Sequence, residues 1–211
     1  MYDIAMHNGK NQNGQVVTDR EICSIIEAYR HAPWGEDQKY DAAKGFLIKA
    51  RSNPDGFVME FRQAPDSEPY LYVHGVNYRD NIVALIENEF TGEHALWRTA
   101  DKPVIEKALS DCASASYICN IHADKTVEIG PEYKPRLKVL PEIIEELFST
   151  NHSSAVVLFT HRNTGVAAAV TQLAADLYAV KSVNYTAECN HAELNNSHAV
   201  DYLTLFIITK R

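Results

Sequence analysis

The chain is poor in the residues that build specialised architectures. Its 211 residues include only four cysteines, Cys23, Cys112, Cys119 and Cys189, and no C-x-x-C pair. Neither a disulfide framework nor a thiolate zinc centre is therefore indicated. The first three fall within expected helices or strands, which is the pattern of reduced, buried thiols. Nine glycines and eight prolines leave no collagen-like repeat, low-complexity tract or flexible linker. No apolar run approaches the roughly 18 residues of a membrane-spanning helix. Met1 to Gly14 lack the apolar core of a signal peptide, so a cytoplasmic protein with no membrane association is expected. Basic residues are the minority, 20 against 28 acidic, for a net charge of −8. Nucleic acid is an unlikely partner, because non-specific affinity for it comes from counterions released around Lys and Arg.

What remains is an ordinary globular composition, 45% hydrophobic and 23% charged, long enough to bury a core without staples. Thr18 and Glu21 have the spacing of a capping box, and Ile22, Ile25, Ile26 and Tyr29 repeat at helical intervals, so residues 17–31 read as an amphipathic helix. A polar stretch, 32–44, precedes three strand-like runs, Phe46 to Arg51, Phe57 to Gln63 and Tyr70 to His74. In the second, Phe57, Met59 and Phe61 alternate with Val58, Glu60 and Arg62, the pattern of a meander with one wet face. A helix is expected from about Asn77 to Phe90, capped by Asn77, then a short strand over 94–98 and a third helix from Asp101 to Cys112. A hairpin of 117–122 and 126–129 follows, and then a short helix from Pro141 to Phe148.

Between Glu146 and Asp176 the only charged side chain is Arg162, so most of this stretch should be interior. It divides into a buried strand, Ala155 to Thr160, and an Ala-rich helix, Gly165 to Tyr178, with Val166, Val170, Leu173 and Leu177 on one stripe. A strand from Val180 to Thr186 completes a βαβ crossover, which makes the two strands parallel. A last strand covers Asp201 to Thr209. The fold class is α+β (mixed α/β): an antiparallel meander in the N-terminal half, a βαβ crossover in the C-terminal third, and helices on a mixed sheet. One domain is expected over 1–211, with residue 101 as the point where a division would fall.

Parallel strands end on one edge of a sheet, so the polar segment 187–198 should leave near the end of the first crossover strand. That convergence selects Arg162, Asn163, Thr164, Gly165, His191 and His198 as ligand-binding candidates, with His161 as the acid–base candidate. An Arg in an uncharged neighbourhood needs a carboxylate or phosphate partner, and Asn163 is suited to cap the helix beside it. The bland alternatives are an internal ion pair of Arg162 with Glu188 or Asp201, and a His161 that simply bonds at a strand end. No Walker A loop, G-x-G-x-x-G or G-x-S-x-G motif occurs. No cofactor is identifiable. Cys189, His191 and His198 match no common zinc spacing, so no metal ligand is assigned.

Three functional readings follow. The first is a small anionic ligand, such as a nucleotide, sugar phosphate or carboxylate, held at 161–165 beneath the 188–198 loop. The second is a non-catalytic inhibitor or immunity-type module, whose acidic surface and 46–74 meander, with Glu60 and Asp66, meet a basic protein partner. The third is a metal-dependent hydrolase through His161, His191 and His198.

Overall fold

The computed structural model describes residues 3–9, 17–28, 36–79, 81–92, 97–132, 136–161, 165–173, 177–189 and 200–211. They form a mixed α+β fold, helices on a sheet with antiparallel and parallel strand pairs. Contacts gather into two compact units, one of residues 1–76 with 118–136 and one of residues 77–117 with 137–211.

In the first unit the strand order is β1 (Asp3–Asn8), β2 (Gly56–Arg62), β3 (Leu71–Tyr78) and β5 (Ala115–Ala123). The pairs β1–β2 and β2–β3 are antiparallel, with Met6, Met59 and Val73 in one row. A meander is present, but its first strand is β1 and not residues 46–51. Those residues belong to α2 (Glu36–Ser52), which follows α1 (Asp19–Ala28). The buried positions of α2 include Lys39, Ala43, Leu47 and Arg51, spaced by four and so stacked on one helix face. Two of the four are cations, and this conceals the amphipathic stripe from a hydrophobicity pattern. Ala43 and Leu47 pack on Ile22 and Ile25 of α1.

The wet face expected for β2 is absent: Gly56 to Phe61 are all buried, Glu60 included. Glu60 is neutralised by Arg62 at 2.6 Å and faces His7 at 3.4 Å. Of the two acidic residues named for a meander surface, Glu60 is thus buried and paired, while Asp66 is exposed. The hairpin expected at 117–129 is also replaced. After β5, Asp124 Oδ1 accepts from the backbone N–H and hydroxyl of Thr126, and Gln63 ties down Glu128 and Gly130. Residues 126–129 run as a loop because their backbone groups are met by side chains rather than by a second strand.

The second unit has the strand order β6 (Ala155–His161), β8 (Val200–Lys210), β7 (Tyr178–Cys189), β4 (Trp97–Arg98). Its helices are α3 (Ile82–Ile86), continued by a π turn over Glu87–Thr91, then α4 (Lys102–Leu109), α5 (Leu140–Asn151) and α6 (Gly165–Thr171). The cap of α3 is Asn81, which accepts from the Ala84 N–H, rather than Asn77. Asn77 lies at the end of β3, where its buried Oδ1 accepts from the Ser116 hydroxyl and Asn151 Nδ2. Phe90, Tyr117, Phe159 and Tyr185 form the aromatic centre, with Phe90 edge-on to the other three.

The expected crossover is realised in direction but not in adjacency. Strand β8 lies between β6 and β7 and is antiparallel to both, so β6 and β7 run the same way without touching as a pair. The uncharged stretch is only half interior. Ala155 to Leu158 are buried, but α6 keeps Val170 as its one buried residue, and Leu177 is 61% exposed. Alanine's small side chain is tolerated on a wet surface, so a lack of charge does not by itself mean burial. The cysteines also depart from expectation: Cys23 and Cys119 are exposed and Cys112 is half-buried. No described helix is long and apolar enough to cross a membrane.

The assignment of 46–51 to a helix is testable at Gly45, where an added Cβ meets nothing within 4 Å. Gly45→Ala is expected to stabilise the protein by about 0.5–1 kcal/mol in urea denaturation. Leu47→Ala, at a fully buried position, should cost about 2–5 kcal/mol.

Candidate functional site

The most concentrated polar chemistry among the described residues lies inside the first unit. The capping box at Thr18 is half formed: the Thr18 hydroxyl accepts from the Glu21 N–H at 3.2 Å. The Glu21 carboxylate does not return to the helix start but turns inward, where the residue is only 1% exposed. There it accepts from Arg51 Nη2 at 2.8 and 2.6 Å and from His74 Nε2 at 3.1 Å. His74 Nδ1 meets His122 Nε2 at 3.2 Å, and His122 Nδ1 meets the hydroxyl of Ser24. Both imidazoles have no exposed surface. Their rings are nearly parallel, at 8° with centroids 5.0 Å apart, and Tyr72 stacks on His122. The result is a continuous chain, Arg51–Glu21–His74–His122–Ser24, drawn from α1, α2, β3 and β5.

Ionisation follows from the surroundings. Burial pushes the Glu21 carboxyl up, but the hydrogen bond and charge of His74, together with Arg51, outweigh it and hold the group below the usual range. Burial pushes His74 down, and the opposing pull of Glu21 does not restore it, so the imidazole is held toward its neutral form. A carboxylate only accepts, so His74 Nε2 must donate to Glu21. In neutral His74, Nδ1 is then an acceptor, which makes His122 Nε2 the donor. Neutral His122 in turn accepts at Nδ1 from the Ser24 hydroxyl. Every bond points the same way, toward Glu21.

Glu21, His74 and His122 each offer one ligand atom, all within 4.8 Å of one another. Two features set this apart from a metal centre. The facing nitrogens of the two imidazoles are in hydrogen-bond alignment with each other, whereas metal ligands aim their lone pairs at a common point off that line. Both oxygens of Glu21 are also already engaged by a cation. The arrangement is a hydrogen-bonded relay.

None of its members was among the site residues singled out from sequence, where Glu21 figured only as a capping-box residue. His74 and His122 sit inside apolar strand segments, and an isolated polar residue at a buried strand position was the available signal. Of the residues that were singled out, His161 is the last residue of β6 and Gly165 the first of α6, where it is exposed. Arg162, Asn163, Thr164, His191 and His198 lie outside the described residues. His161 and Gly165 belong to the second unit, and Glu21, His74 and His122 to the first.

No protein-family model matches the chain, and no curated protein is similar to it. Among solved structures, a polyamine N-acetyltransferase of Drosophila melanogaster is 12% identical, with a TM-score of 0.48 over 98% of this chain and 100% of that one. NAA60 of Arabidopsis thaliana, solved in complex with acetyl-CoA, is 11% identical, with a TM-score of 0.46 over 98% of each chain. The ribosomal-protein-S18-alanine N-acetyltransferase of Escherichia coli is 12% identical, with a TM-score of 0.44 over 100% of this chain and 94% of that one. At TM-scores below 0.5 no activity or residue role is carried over from them.

Because the folded state holds both His74 and Glu21 below their ordinary values of 6.5 and 4.5, the unfolded chain binds more protons, and stability rises with pH. The His74 contribution is complete above about pH 6.5 and is lost as the pH falls from there; that of Glu21 is lost below about 4.5. The thermal midpoint is expected to be flat near pH 8 and to drop between about pH 6.5 and 5. His74→Gln should flatten that first drop; a variant with the same pH profile as the wild type would contradict the assignment.

Proposed function

We propose that the protein binds a small anionic ligand, a nucleotide, sugar phosphate or carboxylate, at the edge of the second unit where β6 and β7 end. The observation that carries this reading is the threading of β8 between those strands. His161, the end of β6, stands opposite Leu203, and Leu203 stands opposite Tyr185 of β7. Val200, where β8 begins, is three residues from Leu203, or about 10 Å along the strand. The chain therefore leaves β6 toward Arg162 on the same edge at which the 190–199 connection joins β7 to β8. A ligand at the carboxyl ends of like-directed strands has loops on more than one side to hold it.

In this reading Arg162 supplies the charge, and Asn163, Thr164 and the Gly165 backbone supply donors beside it. His191 and His198 belong to the segment that joins β7 to β8. His161, at the strand terminus, is the group placed for acid–base work, since an imidazole can exchange a proton near neutral pH. No observation favours the inhibitor or metal-hydrolase readings over this one.

The test is a thermal-shift panel of nucleotides, sugar phosphates, dicarboxylates and acetyl-CoA, since a ligand that binds only the folded state raises its stability by mass action. At least one anion is expected to raise the midpoint, and Arg162→Ala should weaken its binding by tenfold or more, a charge-assisted contact being worth about 1.5–3 kcal/mol. If Arg162→Ala responds to every ligand as the wild type does, the site is wrongly placed.

A further inference from the structure

Arg51 is 6% exposed, and its Nη2 is committed to Glu21. Its Nε and Nη1, buried likewise, have no hydrogen-bond partner among the described residues. Buried guanidinium donors are ordinarily all paired, because each unmet one forfeits the hydrogen bond it had with water. The other end of the relay can be arranged in two ways. The Ser24 oxygen is 2.8 Å from the Glu21 backbone carbonyl and also against His122 Nδ1. A hydroxyl has one proton and can donate to only one of them. In the neutral relay it serves His122, and the Glu21 carbonyl, inside α1, keeps its helical bond from the Ile25 N–H.

The same relay can hold one added proton without leaving any of its groups unmet. It adds to His122 Nδ1, the proton on His122 Nε2 crosses to His74 Nδ1, and the Ser24 hydroxyl turns to the Glu21 carbonyl. His74 then donates from both nitrogens, to Glu21 and to His122, and His122 Nδ1 donates to the Ser24 oxygen. Every group in the relay is satisfied, at the cost of one buried positive charge. The unpaired Arg51 donors and the proton vacancy are complementary: an anion on the first balances the charge of the second.

We propose that Arg51 is the anchor of a second, proton-coupled anion site in the first unit, which takes a carboxylate or phosphate group on Nε and Nη1 while the His74–His122 pair takes up one proton. With neither bound, Glu21 and Arg51 cancel. With both bound, the buried charge is again zero, which is the condition under which burial of ions is tolerated. The groups that bear on the His74 proton are Glu21 and Ser24 from α1, Arg51 from α2, His122 from β5 and Glu60 from β2. Glu60 is engaged by Arg62 and faces His7 of β1. Tyr72, on the same strand as His74, is held protonated by burial and by the charge of Glu21. None of the others offers a competing acceptor to Arg51.

The experiment is calorimetric titration of the intact protein with acetate and, separately, inorganic phosphate, at matched ionic strength and several pH values. At each pH, two buffers of different ionisation enthalpy count the protons. Saturable binding of at least one anion is expected, with uptake of about one proton and affinity falling about tenfold per pH unit where His74 is neutral. Arg51→Lys keeps a cation on Glu21 but removes the Nε and Nη1 donors, and should abolish this binding while the fold, read by circular dichroism, persists. Ser24→Ala removes the acceptor that the protonated relay needs, and should move the pH dependence about one unit lower. Both titrations are run on the wild type and on Arg162→Ala, in which the β6–β7 edge has lost its proposed anchor, so that the proton count and the Arg51→Lys comparison refer to this site alone. Absence of binding by both anions, binding without proton uptake, or an Arg51→Lys protein that binds as the wild type does would each overturn the proposal.

Discussion

A buried carboxylate governs the first unit. Glu21 projects from a helix that otherwise buries Ile22 and Ile25, and an ionised carboxylate away from water is sustained only by opposite charge and hydrogen-bond donors. Both arrive from distant sequence, Arg51 from the last turn of α2 and His74 from β3. The carboxylate thus sets the relation of α1 to α2 and of both to the sheet. Its partners are bound by the same rule. Without Glu21, Arg51 would be an uncompensated buried cation, a situation that costs about 3–5 kcal/mol. This helps explain why α2 must be helical: only a four-residue repeat brings Ala43 and Leu47 to the Ile22–Ile25 cluster while directing Arg51 along the same face.

The second unit is organised by strand threading and polar pins. Between β6 and β7, β8 sets the register that puts His161, the end of β6, level with Tyr185, four residues before β7 ends, and side chains lock the margins. The Thr99 hydroxyl donates to the Thr186 carbonyl, and Asp101 accepts from the N–H and hydroxyl of Thr186. At the opposite margin, Asn77, Ser116, Asn151 and Ser153 form a closed buried network. Buried polar groups satisfied by one another specify a single packing, because any displacement leaves a donor or acceptor unmet. Glu145 adds an outer tie by accepting from the Tyr178 hydroxyl; burial first, and then this bond, push the phenol up to about 12.

Most of the elements could be read from local pattern. The Ile22–Ile25 periodicity marks α1, the prolines near the starts of α4 and α5 mark helix entries, and the β-branched and aromatic runs mark β2, β3, β6, β7 and β8. These signals are complete within about ten residues. Other features escaped because their signal is not local. The buried stripe of α2 includes Lys39 and Arg51, whose burial depends on partners elsewhere. Strand β1 is held by pairing with β2, some fifty residues away. The wet face expected of β2 disappeared because Glu60 was read as solvated when it is paired.

The same distinction applies to the chemistry. Hydrophobic periodicity and turn residues act between near neighbours along the chain, so composition settles that this is a mixed α+β protein and where most helices and strands begin. It also singles out Arg162 by the absence of other charge around it. The relay of Glu21, Ser24, Arg51, His74 and His122 could not be seen that way, because its members are separated by up to about a hundred residues and no one of them shows in its own segment which partner it will meet. Tertiary packing decided it: burial removes water, and once water is gone each donor must find an acceptor in whatever the fold brings within 3 Å.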